Sequence, residues 1–187
     1  MRLSVWGKAL SETTQSGSRQ RLVLSRGRAA AFSVRGVPDV EGRYTIFGQA
    51  FRRLHFQSPA KLRRSTPLYV VLFKGEQSMD AGGPYRETFE ICTEELQSDL
   101  LPLLIPCANA KADAGLNADM WVPNPMARSI LEREMFRFMG QLMGVAIRSK
   151  NYLNLRLPSL FWKRLVGQEP AFADLYAIDK FPCKNRP

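Results

Sequence analysis

Apolar positions along the chain keep mostly to helical spacing, with a few short unbroken runs between. In "YTIFGQAFRRLHF", Phe47, Phe51 and Leu54 recur at helical spacing around a tolerated Gly48. Tyr85, Phe89, Cys92 and Leu96 repeat at +4, +3 and +4. That is the seam of an amphipathic helix, with Glu87, Glu90, Glu94 and Glu95 expected to face mostly water. The strongest pattern, "ILEREMFRFMGQLMGVAIR" over 130–148, sets Leu131, Met135, Phe138, Leu142 and Ala146 on one face. Phe136, Met139, Met143 and Ile147 cover much of the rest, so this helix is expected at the centre of its domain. Gly140 and Gly144 form a GxxxG step, a membrane-dimer spacing in an apolar 20-mer. Arg137 and Arg148 bracket too short a run for that, and the glycines are expected to let a neighbouring element approach closely.

"LYVVLF", 68–73, has no polar interruption and reads as a buried strand. "LLPLLIP" and "MWVPN" read as two short strands around the polar "NAKADAGLNAD", a hairpin-like excursion. Ser58-Pro59 opens a short basic turn through Arg64. Pro158 opens a helix through Leu165 that Gly167 ends, and Pro170 precedes another, "AFADLYAI". Residues 11–43, rich in Ser, Gly and Arg, read as loop with at most short strands at 22–24 and 31–34. The expected class is α+β, mainly α with a few short strands, and no internal repeat is visible.

A chain of 187 residues, 45% hydrophobic, can bury a core as one domain. Its net charge of +10 is uneven: residues 1–75 hold 14 of the 27 Lys and Arg but 3 of the 17 Asp and Glu. Such a basic third marks either a solvated, loosely ordered segment or an arm for nucleic acid or a membrane surface. The expected organisation is a basic linker over 1–43, a folded portion over 44–179 and a divergent tail over 180–187.

No stretch reaches the ~18 apolar residues of a membrane span. The opening "MRLSVWGKAL" has its apolar run broken by Lys8, so no signal peptide is expected. Cys92, Cys107 and Cys183 are odd in number and far apart, which points to reduced thiols in the cytoplasm. His55 is the only histidine and there is no CxxC pair, so metal binding is set aside.

The densest chemistry lies in "FKGEQSMDAGGPYRETFE", 73–90. A phosphate loop would need consecutive N–H donors, but Pro84 has none, and Asp80 and Glu76 would repel the phosphate. Glu76 with Asp80 or Glu87 could form an acid/base pair, though nothing nearby supplies a nucleophile. A structural corner fits better. Gly82 and Gly83 give backbone freedom, Pro84 presets the first helical turn, Glu87 suits the helix start, and Arg86 reaches Asp80 or Glu76.

Three stretches then share one likeness. "VLFKGEQSMDAGGPYRETFE", "MFRFMGQLMGVAIRSKNYLNLRLPSLFWKRLVG" and "ADLYAID", in that order across 68–179, resemble the N-lobe of HECT-type ubiquitin ligases, in detail the very large HERC-type ligases. The resemblance implies a partial N-lobe. It implies ubiquitin transfer through a cysteine thioester in a full-length parent, with a ubiquitin-conjugating enzyme and ubiquitin as partners and no metal or organic cofactor. It also places the conjugating-enzyme groove and the catalytic Thr-Cys later than the matched residues, and "KFPCKNRP" departs from the family's continuation. The chain is therefore expected to be an inactive fragment, with no catalytic, cofactor-binding or metal-binding residue assigned. Cys92 sits on an apolar seam, and Cys107 and Cys183 follow prolines rather than threonine.

The alternative is a non-enzymatic basic module in which residues 1–75 bind nucleic acid or acidic proteins. It draws on Arg19, Arg21, Arg26, Arg28, Arg35, Arg52, Arg53, Lys61, Arg63 and Arg64, with Tyr44, Phe47, Phe51 and Phe56 interleaved. Those aromatics fall at helical spacing, which suits core packing, and the HECT reading expects no appreciable nucleic-acid binding.

Overall fold

The computed structural model describes residues 20–58, 61, 69–76 and 82–180. In the segment expected as loop with short strands, the strand at 22–24 is present and residues 34–43 run through turns and bends. Strand β1 (Gln20–Leu24) pairs in parallel with β2 (Tyr69–Phe73), in register from Gln20 opposite Tyr69 to Leu24 opposite Phe73. Leu22 and Leu24 are buried in the main core, while Arg21 and Val23 point out. β2 alternates in the same way. Tyr69, Val71 and Phe73 are buried and Val70 and Leu72 only half-buried, so its unbroken apolar run serves one face fully rather than two.

The strand expected at 31–34 is part of a helix, α1 (Arg26–Ser33). Ser25 accepts the Arg28 N–H at 3.2 Å and starts it, and Ala29 to Ala31 carry it. Local helix signals outweighed the apolar pattern of four residues. The turn expected after Ser58 falls mostly outside the described residues, as do residues 11–19 of the expected loop.

Helix α2 (Ile46–Leu54) forms the centre. Phe47 and Phe51 are fully buried, and their rings lie 5.4 and 5.8 Å from that of Phe138. α2 packs on β1, on α3 (Gly83–Leu96) and on α5 (Ile130–Ser149). Gly48 is required here rather than merely tolerated: a Cβ on it would lie 2.6 Å from the Gly42 backbone. The seam of α3 is as the spacing predicts, with Tyr85, Phe89, Cys92 and Leu96 all buried.

The excursion is present as an antiparallel pair, β3 (Leu104–Pro106) with β4 (Trp121–Pro123), and its loop carries the short α4 (Ala108–Ala112). α5 starts with a reciprocal cap: Ser129 accepts the Glu132 N–H, and Glu132 accepts the Ser129 N–H at 2.8 Å. Met135, Phe138, Met139, Leu142, Val145 and Ala146 enter the core. Its opposite face does not. Ile147 is 78% exposed, and nothing lies within 4 Å of a Cβ built on Gly140 or Gly144. The close neighbour expected at the GxxxG step is absent among the described residues. α6 (Ser159–Leu165), opened by Pro158, and α7 (Phe172–Tyr176) finish the described chain. The class is α+β and mainly helical, and no described helix is long and apolar enough to cross a membrane.

Candidate functional site

Helix starts expose N–H groups with no intrahelical partner, and the start of α2 lies deep in the protein. Two carboxylates answer it. Asp39 accepts the N–H groups of Arg43, Tyr44 and Thr45 at 2.8–2.9 Å and the Thr45 hydroxyl at 2.9 Å. Glu95, from the last turn of α3, accepts Ile46 N–H on Oε1 and Phe47 N–H on Oε2, both at 2.7 Å. Thr45 Oγ1 then accepts the Gly48 N–H at 3.0 Å. Six consecutive donors are thereby satisfied, five of them by acidic side chains. This overturns the expectation that Glu95 faces water: it is 6% exposed. Burial pushes its pKa up to about 7, against the pull of its two backbone hydrogen bonds, and the charges of Asp39 and Glu94 push the same way. The pair acts as a buried structural clamp on the start of α2.

The corner at 73–90 is also structural, but a different arginine holds it. Arg26, from the start of α1, lies 3.8 Å over the Phe73 ring and pairs with Glu76 at 3.4 Å and with Glu87. Cation–π stacking and two carboxylates lock strand, corner and α3 together. Arg86, expected in that role, is exposed, and Asp80 lies outside the described residues. The left-handed conformation sits at Gly82, with φ of 98°, whereas Gly83 is already helical. Pro84 occupies the first turn as expected. Glu76 and Glu87, two of the three carboxylates considered for an acid/base pair, both pair with Arg26.

Neither described thiol is poised for chemistry. Cys92 is 1% exposed, and burial, with Glu95 adding, pushes its pKa well above the usual thiol value. Cys107 is equally buried. It accepts the Ala110 N–H at 3.4 Å and donates to the Asn117 carbonyl at 3.3 Å, capping α4. Cys183 lies outside the described residues.

Several exposed apolar side chains lie on and between α6 and α7. Trp162, Leu165, Val166, Phe172, Leu175 and Tyr176 are 38–68% exposed. Asp174 ties the two helices from beneath, accepting from Lys163 Nζ at 2.7 Å, the Ala171 N–H at 2.8 Å and Ser159 Oγ at 2.8 Å. Those bonds, the Lys163 bond foremost, lower its pKa to about 2. Asn109 anchors the end of α7 by donating to the Ala177 carbonyl at 3.2 Å and accepting the Lys180 N–H at 2.7 Å. A cavity of 170 Å³ beside Gly115, Leu116, Tyr176 and Lys180 is below the ~300 Å³ of ordinary ligand pockets. Among the described residues no cluster of His, Cys, Asp and Glu could hold a metal. Among the described residues, Asp39, Glu95, Glu76, Glu87 and Asp174 are engaged in hydrogen bonds or ion pairs. Cys92 and Cys107 are buried, and apolar side chains are exposed on α6 and α7.

Comparison with known proteins gives that arrangement its context. The family model described as HECT-domain (ubiquitin-transferase) matches residues 90–185. E3 ubiquitin-protein ligase HERC2 of Mus musculus is 38% identical over 161 residues, 86% of this chain and 3% of its own length. The Homo sapiens protein of that name is 37% identical over the same share. E3 ubiquitin-protein ligase TOM1 of Saccharomyces cerevisiae is 25% identical over 143 residues, 76% of this chain and 4% of its own. The chain thus spans about 3% of the length of the first curated relatives it matches.

Proposed function

The chain belongs to the HECT-domain ubiquitin-transferase family, and from that premise we propose that it serves as a scaffold portion of a HECT N-lobe and does not itself carry the transferring thiol. Ubiquitin and a ubiquitin-conjugating enzyme are then partners of a full-length ligase. Within that ligase these residues supply a rigid wall: α2, α3 and α5 around the Phe47–Phe51–Phe138 cluster, with α6 and α7 on the outside. The cytoplasm suits such a chain, with Cys92 and Cys107 reduced.

The observation that carries the reading is the burial of both described cysteines. A transferring cysteine must reach an incoming thioester as a thiolate. Cys92 is closed into the core with its pKa raised, and Cys107 is fixed in a helix cap. No organic cofactor or metal is called for by thioester exchange between thiols.

The test is discharge of a conjugating enzyme charged with ubiquitin, with free lysine as acceptor, in the presence and absence of this chain. The reading expects the same rate in both. Acceleration that survives replacement of all three cysteines by alanine would assign the chain a docking role, and acceleration lost with them a catalytic one; either refutes the scaffold reading.

A further inference from the structure

The fold answers some of its arginines and leaves others unanswered. Arg26 has Glu76 and Glu87, Arg43 has Glu41, and Arg52 donates to the carbonyls of Gly42 and Glu41. Three arginines nearby have no described carboxylate partner. Arg28 is exposed on α1. Arg53 lies at the surface on the last turn of α2, where Nη1 donates at 3.3 Å to the Gln49 carbonyl. Gln49 ties the two helices there, accepting the Ser25 N–H at 2.8 Å and donating to the Ser25 carbonyl at 3.0 Å. That sets the start of α1, with Arg28, against the part of α2 that carries Gln49 and Arg53. Partial loss of water and then the charge of Arg28 lower the Arg53 pKa. Arg35 follows α1 and holds its guanidinium 5.6 Å from both the Phe32 and the Tyr44 ring centroids, which stack at 4.4 Å.

The local acids are already engaged. Asp39 is committed to the N–H groups of residues 43–45, and Glu41 to Arg43. Like charges set beside each other without a counter-ion oppose folding, and a bound anion removes that opposition. We propose that Arg28, Arg35 and Arg53, on α1, the turn that follows it and α2, form a docking surface for an acidic peptide segment of a partner protein. Planar guanidinium forks match carboxylates in pairs, and the ring stack beneath Arg35 fixes one fork before binding. A single-stranded nucleic acid would need open aromatic faces on which to stack its bases. Here Phe47 and Phe51 are in the core and Phe32 is buried against Tyr44, so Phe56, 53% exposed, offers one open ring rather than a row of them.

The probe is a fluorescein-labelled octaglutamate peptide, titrated with the chain by fluorescence anisotropy at about 50 mM and about 300 mM salt. Saturable binding that weakens with salt is expected. Arg28→Glu with Arg35→Glu should weaken it at least about tenfold, while Arg133→Glu with Arg137→Glu on α5, an equal change of charge, should alter it less than about twofold. Arg53→Gln provides a milder variant, and circular dichroism melts confirm that each protein folds. Equal weakening by the α5 pair, or no saturable binding, would overturn the proposal. So would tighter binding of a single-stranded oligouridine that the same three arginines control.

Discussion

Glu95→Gln separates the two things the Glu95 carboxylate does. In the wild type each oxygen accepts one N–H from the start of α2. An amide offers one oxygen, so either Ile46 or Phe47 would face an NH2 group in a buried site, at a cost of about 1–3 kcal/mol. The substitution also removes a titration. Burial raises the Glu95 pKa from 4.5 to about 7, so the folded protein binds this proton more tightly than the unfolded chain does. That contribution to stability is fully present below pH 4.5 and is lost as pH rises through about 7. At 1.36 kcal/mol per unit the loss is about 3 kcal/mol. Urea melts of both proteins from pH 5 to pH 8 are the assay. The wild type should lose stability across the range relative to Glu95→Gln, so the gap between them is widest at pH 5 and narrows toward pH 8. Curves that run parallel would refute the buried, raised carboxylate.

Five further substitutions test the geometry. Gly48→Ala should cost on the order of 1–3 kcal/mol in thermal melts, because its Cβ meets the Gly42 backbone at 2.6 Å; Gly144→Leu, in open space, should stay within about 0.5 kcal/mol. Gly82→Ala should cost about 1 kcal/mol for its φ of 98°, whereas Gly83→Ala should be neutral or stabilising; the reverse order would misplace the corner. Asp174→Asn should lower the melting temperature near neutral pH. The wild-type advantage should vanish as pH falls from 3.8 through about 2, since the depressed pKa stabilises only the ionised form.

Periodicity made the helices legible because the core is made of their faces: the Tyr85-to-Leu96 seam and the Met135–Phe138–Leu142 face lie where the spacing put them. It misled where polar groups were drawn inward. Glu95 follows Cys92 by three and adjoins Leu96, a position on the seam itself, but its polarity masked that signal. The partners of Arg26 are 50 and 61 residues away in sequence, and no local pattern carries such a pairing. The helix at Arg26–Ser33 was announced by Ser25 before an alanine run, a cap signal obscured by the Ser/Gly/Arg composition around it. For α5 the opposite occurred. Apolar residues all round its circumference pointed to full burial, while the described neighbours cover one side. The family likeness was carried by ordered motifs rather than by any single reactive residue, and their described residues lie on β2, α3, α5, α6 and α7.

The most direct test of the scaffold reading is adduct formation on the chain itself. Mixed with activating enzyme, a conjugating enzyme, ubiquitin and ATP, then run on non-reducing gels, the chain should show no ubiquitin adduct that a reducing thiol removes. A thiol-sensitive band of chain plus ubiquitin, lost in Cys92→Ala, Cys107→Ala or Cys183→Ala, would contradict the account and place the reacting cysteine within these residues.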